Sequence, residues 1–273
     1  MNTHELPGYA DRLDALHQAL CPEFRSIVQA LPLDPTARVL DAGCGDGFYL
    51  ELLAARLNER AALVAFDASQ AYLTAASQRI KSTGTSPSLR FVHGDVRRLP
   101  FPDASFDLVW CAQSMQSFSE LDLVLREFRR VLRPRGIVAV LETDNIHGLI
   151  LPWPAGLEVS VLLAEERALK HDISRSGLYF LRFGEKLLAQ AGFCKIQRKT
   201  YAIDRRAPLD QSFRAYLETY LSNLYRRVEP FLEGKEKQAA ADFLLPESSQ
   251  FVADTEYFCA TMIHGLVLGQ CPP

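Results

Sequence analysis

Three glycines at alternating positions, Gly43, Gly45 and Gly47, stand in the run Val39-Leu40-Asp41-Ala42-Gly43-Cys44-Gly45-Asp46-Gly47. A short apolar stretch, Ala37-Arg38-Val39-Leu40, precedes them, and residues 48–57 follow with Leu50, Leu53 and Leu57 on one helical stripe. A strand entering a glycine turn and leaving as a helix is the opening of a βαβ unit. A second apolar run, residues 62–66, ends at Asp67 about 20 residues on. In a parallel sheet both features fall at the carboxyl ends of adjacent strands, where doubly wound sheets bind ligands. Glycines let the backbone approach a ligand that a Cβ would exclude, and a carboxylate at the second strand end can accept both hydroxyls of a ribose. The constellation points to nucleotide recognition; the alternative is a set of tight turns beside a solvated Asp67.

The alternation continues downstream. The spacing predicts a helix over 69–80 capped by Ser69, strands over 89–93 and 106–111, a helix over 121–132 and a strand over 136–142, with a Ser/Thr/Gly/Pro-rich loop at 81–88. This rhythm specifies an α/β fold: a doubly wound, mostly parallel, Rossmann-like sheet with helices on both faces. Ahead of it, Leu13, Leu16, Leu20, Phe24, Ile27, Val28 and Leu31 recur at helical spacing, interrupted by Pro22, which gives two helices or one broken helix. After Asn145 the rhythm changes. Residues 146–176 read as an inserted loop and helix, 182–191 as a helix closed by Gly192 in a left-handed cap, 193–203 as β-like, 213–232 as a long amphipathic helix and 257–268 as a final strand. Four segments follow: an N-terminal helical segment 1–35, a ligand-binding core 36–145, an inserted segment 146–180, and 181–273 with the rest of the sheet and a helical insertion at 208–250.

Composition removes several classes of function. With 273 residues, 48% hydrophobic, and 30 Lys and Arg against 33 Asp and Glu for a net charge of −3, the chain is globular and carries no basic excess for nucleic acid. The six cysteines form no C-x-x-C pair and suit reduced thiols. His4, Glu5 and Asp11 interrupt what a secretory signal would need as an apolar core, and no stretch reaches the length of a membrane span. A cytoplasmic monomer or homodimer is expected, with no integral membrane association.

The wording of the motifs is more specific. VLDAGCGDG, followed by FDAS, GDVRRLPFPDASFDLVWC and LREFRRVLRPRGIVAVLE, closely resembles the class I S-adenosylmethionine-dependent methyltransferases, especially small-molecule enzymes similar to those of ubiquinone and menaquinone biosynthesis. The resemblance covers residues 37–145, with a weaker match at LLAQAGF. It implies S-adenosyl-L-methionine as cofactor and a seven-stranded sheet with an antiparallel last strand. It also implies that Asp41, Gly43, Cys44, Gly45 and Gly47 form the loop that holds the methionine moiety, and that Asp67, with Ala68 beside it, is the ribose-binding acid. Tyr72 then walls the adenine pocket, Asp95 and Val96 read the adenine edge through a carboxylate and a backbone N–H, and Gln113 faces cofactor and acceptor. Arg135 departs from the usual LRPGG turn, which lies away from the cofactor. Read from the residues alone, Asp41 is either a ligand contact or a loop brace, Asp95 either a reader of adenine or a turn former after Gly94, and Cys44 a small buried loop residue.

Methyl transfer is an in-line displacement, so alignment and exclusion of water dominate and a base is optional. Many relatives carry His after the fourth strand; here the run is Gln113-Ser114-Met115-Gln116-Ser117-Phe118, so no base is expected from that loop. Acid/base candidates elsewhere are His147, His171, Glu142 and Tyr179. Asp144-Asn145 invites comparison with metal-dependent catechol-type enzymes, but no other acidic ligands are recognisable and no metal is expected. Acceptor-site candidates are Gln113, Gln116, Trp153, His171 and Tyr220, within 146–180 and 208–250. Phe213, Tyr216, Tyr220 and Leu224 share a helix flank that either packs as core or lines an apolar acceptor site closed by Trp153. The expected activity is methyl transfer to the O, N or C of a small, partly apolar metabolite. A non-catalytic cofactor-binding relative is the competing class. A nicotinamide-dependent oxidoreductase is disfavoured by GDVRRLPF and an antiparallel final strand, and a nucleic-acid methyltransferase by the lack of an N/D-P-P-Y/F motif.

Overall fold

The computed structural model describes residues 6, 10–81, 87–144, 148–169 and 179–273. The glycine loop joins β1 (Arg38–Ala42) to α3 (Phe48–Ala54), and β2 (Ala62–Asp67), α4 (Gln70–Lys81) and β3 (Ser88–His93) follow. β4 (Phe106–Ala112), α5 (Leu121–Val131) and β5 (Leu132–Thr143) complete the regular alternation. The sheet order is β3-β2-β1-β4-β5-β8-β6, where β8 is Cys259–Gln270 and β6 Leu149–Ile150, and β7 (Cys194–Arg206) also pairs with β8. Pairs among β1 to β5 are parallel, whereas β8 runs antiparallel to β5, β6 and β7. This is the expected Rossmann-like fold with one correction. The sheet has eight strands instead of seven, because Leu149–Ile150 forms a two-residue β6 against Thr261 and Met262 of β8. Two residues are too few to produce an alternating pattern, so the segment reads as loop.

The central strands carry near-continuous apolar runs because helices cover both faces. On one face α1 (Ala10–Ala19), α2 (Cys21–Gln29), α3 and α8 (Gln211–Val228) pack Phe24, Leu50 and Phe213 over Leu108, Trp110 and Leu141. On the other, α5 and α7 (Phe180–Gln190) pack Phe128 and Phe180 over Leu40, Val109 and Val140. Pro22 sits in the first turn of α2, where a missing N–H costs nothing, so the chain makes two helices. Gly192 closes α7 at φ +86°.

The later elements shift from their expected bounds. α8 starts at Gln211 because the Asp210 carboxylate accepts the Phe213 N–H at 2.8 Å, and it stops at Val228, where Pro230 enters a short 3-10 turn, instead of running to 232. α6 (Ala155–Leu169) and α9 (Gly234–Leu244) pack with α8, and α1 lies along α8. Together they form a helical cap over the carboxyl ends of the strands. Arg135 has φ +65°, the left-handed conformation that glycine adopts without strain. Its N–H donates to the Cys271 carbonyl at 3.2 Å and its carbonyl accepts from Gln270 Nε2 at 3.0 Å, at the end of the sheet opposite the glycine loop.

Candidate cofactor and acceptor site

The glycine loop is tied to its neighbouring strand through the backbone. Gly43 and Cys44 N–H both donate to the Phe66 carbonyl, at 2.8 and 3.1 Å. The Asp67 carboxylate accepts the Gly45 N–H at 3.0 Å and the Ser69 N–H at 2.8 Å, one on each oxygen. Asp67 therefore braces the loop while each oxygen keeps a further lone pair. Burial raises its pKa and the backbone donors oppose that rise. The glycines divide the work. At Gly47, with φ +86°, a Cβ would meet Ala76 Cα at 2.9 Å, so glycine lets α3 close on α4. At Gly45, with φ +52°, a Cβ would meet nothing within 4 Å, so the loop leaves room above its backbone. The Ala68 carbonyl accepts from His93 Nε2 at 3.0 Å, Ser69 Oγ accepts the Tyr72 N–H at 3.3 Å as the expected cap, and the Tyr72 side chain is buried.

Asp95 is arranged differently. Its carboxylate is gripped by the Arg97 guanidinium, with Nη2 to Oδ2 at 2.7 Å and Nε to Oδ1 at 3.1 Å, and Arg97 also reaches Glu120 at 2.6 Å. Arg97 holds the carboxyl below its ordinary range. Asp95 is exposed and Val96 buried. Cys44 is buried, and burial pushes its thiol well up, which suits a loop filler and not a nucleophile.

Gln113 has φ +53° at the end of β4; its N–H donates to the Leu141 carbonyl and its Oε1 accepts from His17 Nε2 at 2.9 Å. His17 lies on α1 and stacks on Phe48, centroids 4.1 Å apart at 10°. Phe24 meets Tyr49 at 5.7 Å and His264 at 5.3 Å, edge to face, and Tyr49 meets Trp110 at 5.4 Å. His264 Nδ1 lies 2.9 Å from Thr143 Oγ1. In and beside this aromatic box six buried polar atoms have no hydrogen-bond partner: Asp41 Oδ2, Tyr49 OH, Trp110 Nε1, His17 Nδ1, which faces Asp46 Oδ1 at 3.9 Å, Gln113 Nε2 and His264 Nε2. Each would cost about 1–3 kcal/mol if it stayed unpaired, which makes this group the strongest candidate for a ligand site. Burial lowers both His17 and His264 to about 4, so both are neutral near neutral pH. Burial together with Asp67 and Asp46 raises the Asp41 carboxyl well above its ordinary range. Glu142 accepts the Met115 N–H at 2.7 Å, and burial pushes it up to about 8. It anchors the turn that follows Gln113.

The other candidates separate. Trp153 and Tyr220 line one cavity of about 50 Å³ together with Leu149, Val161, Glu165 and Leu224. Trp153 also stacks on Phe243 at 4.7 Å, and Arg227 pairs with the buried Glu165 at 2.5 Å. Phe213 and Tyr216 are buried in the core with Leu217 and Leu221, so the stripe on α8 is core along most of its length and reaches the cavity at Tyr220 and Leu224. Gln116 lies half-buried in the 3-10 turn Met115–Ser117. Tyr179 stacks with Arg182, which pairs with Asp144 at 2.5 Å. His147, His171 and Asn145 lie outside the described residues. Among the described residues there is no group of three or more His, Cys, Asp or Glu able to hold a metal ion. His17, Tyr49, Trp110 and His264 were missed from the sequence. Their signal was a polar or amphipathic residue on an otherwise apolar stripe: His17 falls in line with Leu13, Leu20 and Phe24, and His264 with Met262 and Leu266.

The order of the strands, the single reversed β8 and the pairing of a glycine loop with Asp67 define the Rossmann-like fold of class I methyltransferases. Residues 40–140 match the family described as "Methyltransferase domain". The chain is 34% identical over 117 residues to the 2-phytyl-1,4-naphtoquinone methyltransferase of Synechococcus elongatus, covering 43% of this chain and 50% of that protein. It is 34% identical over 152 residues to the 27-O-demethylrifamycin SV methyltransferase of Amycolatopsis mediterranei, covering 55% and 53%. The chain thus spans about half the length of the curated relatives it matches. Two solved structures share the fold. One is a SAM-dependent methyltransferase from Aquifex aeolicus, with TM-score 0.52, 21% identity, and coverage of 74% of this chain and 92% of that one. The other is the [4+2]-cyclase SpnF, with TM-score 0.52, 19% identity, and coverage of 97% and 93%. Among the described residues no helix is long and apolar enough to cross a membrane.

Proposed function

We propose that this chain binds S-adenosyl-L-methionine and transfers its methyl group to a small, partly apolar acceptor. The observation that carries the reading is the aromatic box of buried, unpartnered polar atoms directly beside the loop braced by Asp67. The residues fit the cofactor. Room above Gly45 suits a ligand on the loop, the free lone pairs of Asp67 suit ribose hydroxyls, and Tyr72, Asp95 and Val96 suit the adenine. Asp41 Oδ2 offers an acceptor to an ammonium, while Tyr49, Trp110 and Gln113 offer donors. When bound, the cofactor supplies an electrophilic methyl carbon on a sulfonium. The protein's own part is to align the acceptor with it, to exclude water through α1 and its His17–Gln113 bond, and to set aromatic faces around a positive charge.

The acceptor enters, on this reading, from the side of residues 146–180 and 208–250, where Trp153 and Tyr220 share a cavity. A naphthoquinone or an O-demethylated rifamycin is what its relatives' names bring to this chain. The protein acts in the cytoplasm as a monomer or homodimer, on no nucleic acid. A second reading is cofactor binding without methyl transfer; a protein described as a [4+2]-cyclase shares the fold. Thermal shift with S-adenosylmethionine, S-adenosylhomocysteine and NAD, followed by label transfer from methyl-labelled cofactor to a panel of quinols and polyketide alcohols, separates the readings. At a hundredfold excess over Kd the first two ligands should stabilise by about 2.7 kcal/mol. A shift with NAD alone overturns the proposal, and a shift without label transfer favours the second reading.

A further inference from the structure

Resting on the methyl-transfer reading, we propose that His264, held by Thr143, is the base that takes the proton from a hydroxyl acceptor in this protein. His264 is fully buried on β8, level with Thr143 at the carboxyl end of β5, where the two residues are register partners. Its Nδ1 is 2.9 Å from Thr143 Oγ1, while its Nε2 has no protein partner. The imidazole is therefore fixed at one nitrogen and open at the other. A Thr hydroxyl can accept from Nδ1–H, and that tautomer leaves a lone pair on Nε2. Phe24 stands edge-on to the ring and also touches Tyr49 and His17, so the open nitrogen belongs to the same box as the residues assigned to the cofactor.

This placement answers a gap in the loop after β4, which carries Gln113 and Gln116 and no histidine. His17 is the other buried imidazole in the box, but its Nε2 is bonded to Gln113, its Nδ1 faces the Asp46 carboxylate at 3.9 Å and its ring is stacked on Phe48. It serves the closure of the cap. The balance of the step is simple. The acceptor O–H bond breaks and its proton goes to Nε2; the electron pair left on oxygen forms the new O–C bond, and the C–S pair returns to sulfur. A weak base is sufficient, because the hydroxyl becomes strongly acidic as the O–C bond forms. The substrate class that follows is a phenol or enol, whose proton must leave, in preference to an amine that is already a nucleophile.

The test has a binding arm and a kinetic arm, both with S-adenosylhomocysteine or S-adenosylmethionine as appropriate and with naphthol as the probe acceptor. In protein with nitrogen-labelled histidine and saturating S-adenosylhomocysteine, naphthol should move the His264 Nε2 resonance, and methoxynaphthalene, which has no proton to donate, should not. A resonance that naphthol moves no further than methoxynaphthalene does overturns the proposal. In turnover, His264→Gln should lower kcat on naphthol by about 10²-fold, the low end of general-base effects, and on naphthalenethiol, already ionised in neutral solution, by less than about tenfold. Thr143→Val should give a smaller loss with the same preference for the thiol. Added imidazole should restore part of the naphthol activity of His264→Ala. Equal losses on alcohol and thiol, or label transfer confined to amines, overturn the assignment. Calorimetry with S-adenosylhomocysteine on each variant reports folding. If wild type itself binds none, the underlying methyl-transfer reading fails and not this residue alone.

Discussion

The two halves of the site are built on opposite principles. Around the glycine loop nearly every polar group is answered by the backbone: Gly43, Cys44, Gly45 and Ser69 all donate to Phe66 or Asp67. Under the cap, by contrast, polar atoms on His17, Tyr49, Trp110, Gln113 and His264 are buried among aromatic rings with open valences. The first half is preorganised and holds its shape without a ligand. The second is held by apolar packing of helices distant in sequence, with its polar groups left to a guest. Removing one carboxylate should therefore disable the first half, whereas the second should respond in graded steps.

The largest effect is expected from Asp67→Ala. The loop loses the acceptor of the Gly45 and Ser69 N–H groups along with the assigned ribose contact, so affinity for S-adenosylhomocysteine should fall by about 10²-fold, equivalent to about 3 kcal/mol. Calorimetry measures it. Wild-type affinity in this variant would remove both the ribose assignment and the contrast between the halves.

Next comes the acid response of the cap. His17 has its folded pKa depressed to about 4 from 6.5, first by burial, with Asp46 opposing. A neutral buried imidazole binds fewer protons than the unfolded chain between these values, so its contribution is present above pH 6.5 and is lost as pH falls toward 4. Glu142, raised to about 8, and Asp41 work with the opposite sign, so the informative quantity is the difference between proteins. His17→Phe, which keeps a ring on Phe48, should gain Tm relative to wild type as pH drops from 6.5 to 4, by roughly 2 kcal/mol or about 4–8 °C. The bond to Gln113 raises the His17 pKa and so partly offsets burial, but the net shift stays downward and the sign of the difference holds. A constant difference across this window would mean that His17 is not buried under the cap in solution.

These contrasts also explain what the sequence could reveal. The loop, Asp67, the Ser69 cap and the Gly192 cap depend on local backbone geometry, which demands particular residue types at fixed offsets, so they were legible. β6 was not, because two residues gain strand character only from Met262 and Thr261, more than a hundred positions away. The box was invisible for the same reason. His264 reaches the site through the register of β8 on β5, and His17 through the packing of α1 on α8 and α3. Trp153 and Tyr220 were picked out as aromatics, yet their meeting depends on how α6 and α8 dock.

That meeting gives a third, smaller effect. Tyr220→Ala or Trp153→Ala should raise the acceptor KM by about tenfold and leave Kd for S-adenosylhomocysteine at its wild-type value. If either variant instead loses Tm and keeps wild-type kinetics per folded molecule, the cavity is a packing defect and the cap does not read the acceptor.

Asp95→Ala should have the smallest effect, and it sharpens the comparison from inside the preorganised half. The Asp95 carboxylate is exposed and already shared with Arg97, whose guanidinium also pairs with Glu120, so removing it frees Arg97 to hold Glu120 alone. Val96 keeps the backbone N–H proposed to meet the adenine edge, and among the described residues the one backbone donor to the lost oxygens is the Arg97 N–H at 2.9 Å. An exposed, shared hydrogen bond is worth about 0.5–1.5 kcal/mol, a threefold to tenfold change in affinity for S-adenosylhomocysteine. The same titration that measures Asp67→Ala ranks the two. A loss at Asp95 equal to that at Asp67 would mean that the adenine carboxylate contributes as much as the loop brace, and that Arg97 releases Asp95 when the ligand binds.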